Sequence, residues 1–150
     1  MIPRIERLAD LPTAGFGLLQ AESEEAGLRF LQRLADEWAS GVNRFGRPGE
    51  ALFAARRGGE LVAIGGLNVD PYATAPRVGR VRHVYVLATY RRQGIGHRLV
   101  AEIIAAARGP FDSLRVRSAS REASRLYEGL GFRPCSDVPD CTHVMTLTRP

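Results

Sequence analysis

A chain of 150 residues, 45% hydrophobic and 25% charged, has the composition of one globular domain and can bury a core without disulfides or a structural metal. Its formal charge of +5 rests on 21 basic residues, every one an arginine, and the lack of lysine excludes Walker-type phosphate loops and Schiff-base or pyridoxal chemistry in their usual forms. No run approaches the roughly 20 apolar residues of a membrane helix, and Met1 to Arg7 alternates in charge where a signal peptide has an apolar core. A single domain over 1–150, no membrane partner and a cytoplasmic location are therefore expected.

In chain order, Ile2 to Leu8 alternates weakly and reads as an opening strand. Ser23 stands as an N-cap before Glu24 and Glu25, and Leu28, Leu31, Leu34, Ala35 and Trp38 recur at helical spacing up to Gly41, which predicts one amphipathic helix over 24–40. Residues 51–57 and 60–69 read as strands joined by Gly58-Gly59, a pair that suits a primed hairpin turn. Asp70 to Pro76 is a loop. Val78 to Leu87, rich in valine and aromatics, reads as a central strand, followed by a helix over 95–108 carrying Ile95, Leu99, Val100, Ile103, Ile104 and Ala107 on one face. A strand over 113–118, a helix capped by Ser120 with Ala123, Leu126, Tyr127 and Leu130 on one side, and an end strand over 143–148 complete the series. The order describes an α+β domain on one mixed sheet, in which the step from 78–87 through the helix to 113–118 is a βαβ crossover joining parallel strands.

The arginines are dispersed, with pairs at Arg56/Arg57 and Arg91/Arg92 and a loose set at Arg77, Arg80 and Arg82. That pattern favours an anionic small molecule over nucleic acid, which calls for a clustered basic footprint. Cys135, Cys141 and His143 match no standard zinc spacing and lack a fourth ligand nearby, so no metal is expected and the cysteines read as reduced thiols.

Chemistry concentrates at Arg91-Arg92-Gln93-Gly94-Ile95-Gly96, where the central strand hands over to a helix. Glycines there allow a tight turn that presents successive N–H groups, and the helix N-terminus adds partial positive charge, which together suit a pyrophosphate. The position three after Gly96 is Leu99, so the third glycine of a dinucleotide fingerprint is missing.

These residues resemble the phosphate loop of the GNAT superfamily of acyl-CoA-dependent N-acyltransferases, Gln/Arg-x-x-Gly-x-Gly/Ala, at Arg91, Gly94 and Gly96. The preceding Val86-Leu87-Ala88-Thr89-Tyr90 resembles that family's Val-x-Pro-x-Tyr, with Ala88 in place of proline. A second motif, Asn-x-x-Ala-x-x-Leu-Tyr-x-x-x-Gly-Phe, is matched by Ala123, Leu126, Tyr127, Gly131 and Phe132, with Ser120 where asparagine is usual. The close match covers roughly 78–134.

The resemblance implies a mixed central sheet flanked by helices, its central strands splayed so that the pantetheine arm of acetyl-CoA pairs with backbone groups of Val84 and Val86. It implies a pyrophosphate on the N–H groups of Arg92, Gln93, Gly94, Ile95 and Gly96 with charge from the Arg91 and Arg92 side chains, and a cofactor contact at Ser120 and Tyr127. Tyr127 would be the general acid and the Val84 N–H the donor to a developing oxyanion. For the base, His83 is the first candidate, with a hydrogen-bonded structural histidine as the other reading; the family's glutamate on this strand is absent, the positions being Arg80 and Arg82. Asp70, Glu24 and Glu25 are further candidates. The function expected is transfer of an acetyl group to a primary amine, of a small molecule in preference to a macromolecule, and a homodimer is compatible with it. A non-catalytic acyl-CoA sensor is the alternative.

Overall fold

The structure, a computed structural model, describes residues 2–11 and 13–147. Among these residues seven strands form one sheet in the order β1-β2-β3-β4-β5-β7-β6: β1 (Arg4–Arg7), β2 (Ala51–Arg57), β3 (Glu60–Val69), β4 (Val78–Val86), β5 (Ser113–Val116), β6 (Arg133–Pro134) and β7 (His143–Thr146). Four α-helices among the described residues flank it: α1 (Phe16–Glu25), α2 (Phe30–Ser40), α3 (Ile95–Ala107) and α4 (Arg121–Gly129).

The β2–β3 hairpin forms as its sequence requires. Gly58 and Gly59 both have positive φ, 59° and 85°, the backbone that a type I′ turn demands and that residues with a Cβ resist. Both strands are buried on two faces. Ala51, Phe53 and Ala55 of β2 pack with α3, whereas Leu52 and Ala54 pack with α1 and α2. The sheet therefore carries a core on each side. One is built on Leu99, Val100, Ile103 and Ile104 of α3; the other on Phe16, Leu19, Leu31, Leu34 and Trp38 of α1 and α2. Leu99 and Ile103 are wholly buried, and each such side chain contributes about 1.5–3 kcal/mol.

Among the strands of the described residues, the one parallel pair is β4 with β5, through Val78/Ser113, Gly79/Leu114, Arg80/Arg115 and Val81/Val116. Beyond Val81 and Val116 that pairing stops, although β4 runs on to Val86. The expected crossover and the splay between central strands are both present.

Three expectations need correction. The single helix over 24–40 is two helices: Gly27, at φ 82°, ends α1, and α2 starts at Phe30. Ser23 is therefore no N-cap. It lies buried near the end of α1 and donates its hydroxyl to the Gln20 carbonyl at 2.8 Å. Glu24 and Glu25 close α1 and do not open a helix. Helix α1 itself, and the two-residue strand β6 paired with His143 and Val144, were not expected. Of the predicted end strand, Thr148 lies outside the described residues.

Candidate active site

The site is set by how β4 is bent. Opposite β3, Ile64 pairs with Tyr85 but Gly66 pairs with Arg82, so His83 and Val84 together face the single residue Gly65. This is a β-bulge, and His83 carries its strain with φ 61°, a left-handed backbone. The extra residue resets which face each side chain takes. Val81 packs on the α3 side, His83 lies against Phe30 and Phe45 on the α2 side, Val84 and Val86 return to the α3 core, and Tyr85 and Leu87 go to the α1–α2 core. Gly65 and Gly66 make this possible. A Cβ at Gly66 would stand 2.6 Å from the Phe45 ring, and one at Gly65 would crowd Ile103 and Val84 at 3.1–3.2 Å.

Past β4 the chain makes a short 3₁₀ turn at Ala88–Tyr90 and then the segment Arg91 to Gly96. Arg92 and Gly94 have left-handed φ of 63° and 80°. Alternating left-handed residues turn successive N–H groups to one side and form a concavity for anions. No side chain caps α3, so the first N–H groups of its opening turn, Ile95 and Gly96 among them, keep donors without intrahelical partners. Arg91 to Gly94 are exposed, and a Cβ on Gly94 would meet nothing within 4 Å. The cradle is open, and the diphosphate of coenzyme A fits its donor set.

The two arginines of the turn differ. Arg91 donates from Nε to the Val86 carbonyl at 2.9 Å and lies 5.2 Å over the Tyr85 ring. It therefore braces the end of β4. Among the described residues, Arg92 makes no side-chain hydrogen bond and stands exposed. Gln93 accepts from the Arg57 guanidinium. Glu22 of α1 fastens this corner from the other face, accepting from the Tyr85 hydroxyl at 2.5 Å and from the Ala88 N–H at 3.0 Å.

Between the splayed strands lies a cavity of about 260 Å³ lined by Val81, Arg82, His83 and Val84 of β4, Val116 at the end of β5 with Arg117 to Ala119 after it, and Ala123 and Tyr127 of α4. The structure thus brings Val84, His83 and Tyr127 to one cavity. Tyr127 is 4% exposed and packs edge-on against Phe132 with centroids 5.5 Å apart. Burial holds its phenol well above the ordinary range, so it stays protonated. Next to it, His143 bonds Glu128 through Nε2 and Thr142 through Nδ1, both at 2.8 Å. Ser120 caps α4, its hydroxyl accepting from the Ala123 N–H at 3.0 Å.

His83 is 7% exposed, and neither ring nitrogen makes a hydrogen bond of ordinary geometry among the described residues. Burial, and then the positive charge of Arg82, press its pKa down to about 3, against a small opposing pull from the Phe30 backbone. The ring is neutral at physiological pH. Of the other candidate bases, Asp70 is buried with ion-pair distances of 3.7 Å to Arg80 and 3.6 Å to Arg115, and Glu24 is an exposed partner of Gln20. Cys135 and Cys141 are free thiols with their sulfurs 3.8 Å apart.

Sequence reasoning missed the cavity's outer wall, where Arg33, Tyr72, Arg80, Arg82, Arg117 and Asp140 meet. The loose set of arginines around Arg80 was its visible trace.

Fold and site geometry together point to the class of acyl-CoA-dependent acetyltransferases. Residues 13–132 match the family model described as Acetyltransferase (GNAT) family. The chain is 35% identical over 86 residues to the N-alpha-acetyltransferase RimI of Mycobacterium tuberculosis, covering 57% of this chain and 54% of that protein, so it spans about half the length of this curated relative. A crystal structure assigned as an acetyltransferase of Exiguobacterium sp. 255-15 superimposes with a TM-score of 0.87 at 31% identity, covering 97% of this chain and 94% of that one. A GNAT family acetyltransferase of Elizabethkingia anophelis with acetyl-CoA bound shares the fold, with a TM-score of 0.64 at 19% identity over 97% and 98% of the two chains. The chain belongs to the GNAT acetyltransferase family.

Proposed function

We propose that this protein transfers an acetyl group from acetyl-CoA directly to the primary amine of a small molecule. The carrying observation is the splayed cavity, which the bulged Val84 and the protonated Tyr127 phenol both line, with β4 running on from it towards the open cradle at Arg92 to Gly96. Acetyl-CoA supplies an activated thioester. The chain's own residues do the rest. The cradle N–H groups, joined by Arg92, hold the diphosphate, and the stretch of β4 at Val84 and Val86, unpaired on its β5 side, offers backbone groups to the pantetheine arm, with Ser120 and Gln93 at its margins. The Val84 N–H bears the negative charge that develops on the acyl oxygen. Tyr127 donates the proton that the departing sulfur needs.

His83 is too weak a base to hold a proton at neutral pH. Its part is to accept a hydrogen bond from the amine N–H while the amine loses its proton to water. The cavity size supports a small acceptor, since about 260 Å³ falls just below the usual range of small-molecule sites. A protein N-terminus is the second reading, favoured by the 35% identity to an N-alpha-acetyltransferase. A cytoplasmic location accords with the absence of any helix, among the described residues, long and apolar enough to cross a membrane.

Titration calorimetry with acetyl-CoA, followed by thiol release over a panel of small amines and N-terminal peptides, tests the reading. Binding with release from a small amine is expected. Release from peptides alone would transfer the assignment to protein N-termini, binding without release would favour the sensor, and no binding would overturn the proposal.

A further inference from the structure

The outer wall of the cavity is short of negative charge. Four guanidinium groups line it, Arg33, Arg80, Arg82 and Arg117, against the single carboxylate of Asp140. Arg80 is occupied: it donates to the Asp140 carbonyl at 2.6 Å, lies 3.7 Å from buried Asp70 and stacks over the Tyr72 ring at 5.0 Å. Arg33, Arg82 and Arg117 make no side-chain hydrogen bond and no ion pair among the described residues.

Arg82 is the informative one. It is half-buried, its charge is disfavoured by desolvation and by Arg80 and Arg33, and Glu37 is the main group pulling the other way. A guanidinium taken out of water without a bonded counter-ion is costly unless a ligand completes it. It also joins two spaces. Arg82, Arg33 and Tyr72 line both the central cavity and an adjoining one of about 350 Å³ that reaches Glu37, Asn43, Arg47, Glu50 and Asn68. Beside Arg82, on the same side of the bulge, His83 lines the central cavity, and both of its ring nitrogens are buried without a hydrogen-bond partner among the described residues.

We propose that the acceptor is a small amino acid-like molecule whose carboxylate is held by Arg82 with Arg33, and whose amine is received at His83 beside Val84. The inference rests on the transferase reading above. Neighbouring residues of one bulge supply the two handles, so acid and amine belong to one compact molecule. A guanidinium fork matches a carboxylate in two parallel hydrogen bonds. The surrounding positive charge also disfavours an ammonium ion, so the amine is held in its neutral, nucleophilic form; the nitrogen then bonds to the acetyl carbon, the sulfur leaves with the proton from Tyr127, and the amine's surplus proton passes to water. Glu37, Glu50 and Asp140 face the same space and set a limit to its basicity.

The test is thiol release from acetyl-CoA with each of the common α-amino acids and, in parallel, with its primary carboxamide, which keeps the amine and side chain but loses the charge. At least one acid is expected to exceed its amide in kcat/KM by about tenfold or more, the scale of a charge-assisted hydrogen bond. Arg82→Gln should collapse that ratio towards one through KM, whereas Arg4→Gln, on exposed β1, should preserve it. Amides used as well as acids, or acid preference unchanged in Arg82→Gln, would overturn the inference and leave the transferase standing. Calorimetric binding of acetyl-CoA with release only from peptides would overturn it in favour of a protein acceptor. Absence of acetyl-CoA binding would overturn the transferase reading and this inference together.

Discussion

The two faces of the sheet are built by different means. On the α3–α4 face the candidate cosubstrate site is mostly backbone: N–H groups of a glycine turn, the opening of α3 and the unpaired stretch of β4. On the α1–α2 face the acceptor side is mostly side chain, with Arg33, Tyr72, Arg82 and His83 around a cavity. A backbone site can serve one cosubstrate while the side chains opposite change freely, which is how one scaffold comes to accept different amines.

The contrast is sharpest at Tyr127, which reaches the cavity from the cosubstrate face. Tyr127→Phe keeps the ring contacts to Phe132 and His143 and removes the proton donor, so kcat should fall by about 10²–10⁴ with calorimetric acetyl-CoA affinity within about twofold. Undiminished turnover would remove the acid role.

On the opposite face, His83 should make stability depend on pH. Its folded pKa of about 3 lies below the ordinary 6.5, so between those values the unfolded chain binds more protons and stability rises with pH. At 1.36 kcal/mol per unit, moving from pH 7.5 to pH 5 should cost about 2 kcal/mol through this residue. Urea midpoints at the two pH values should differ less in His83→Asn, a residue that tolerates the left-handed backbone and does not titrate. An unaltered difference would show that His83 is not the buried neutral group described.

A smaller effect separates the turn from the sheet. Gly94→Val places a branched side chain at φ 80° in open space and should weaken acetyl-CoA binding by about tenfold by spoiling the N–H array. Affinity unchanged by calorimetry would move the diphosphate elsewhere. Smallest is Ser120→Ala, which deletes the α4 cap and should lower stability by about 1 kcal/mol. A matching loss of acetyl-CoA affinity would show that Ser120 touches the cosubstrate as well.

The same division explains what could be read in the sequence. Glycine turns and helical periodicity are local signals, so β4, the turn at Arg91 to Gly96, α3, β5 and α4 were legible, as was the place of Tyr127 on α4. Helices α1 and α2 were merged because Ser23-Glu24-Glu25 imitates a helix start and Leu28 continues the apolar spacing through the break at Gly27. Only Phe16, Leu19 and Ser23 of α1 are buried, and Leu18 is exposed, which hides the helix from a pattern search. The bulge at His83 was illegible for another reason. It depends on how β4 registers against Gly65 and Gly66 some 20 residues earlier in the chain, and with it went the placement of Arg82 and the burial of His83.

The arginines lining the acceptor cavity have one more chemical consequence. A lysine in such a wall would offer its own amine to the thioester and would itself become acetylated. A guanidinium stays protonated in water and does not compete as a nucleophile, so Arg33, Arg80, Arg82 and Arg117 make the chamber cationic and chemically inert towards an acetyl donor, leaving the incoming amine without a rival on its walls.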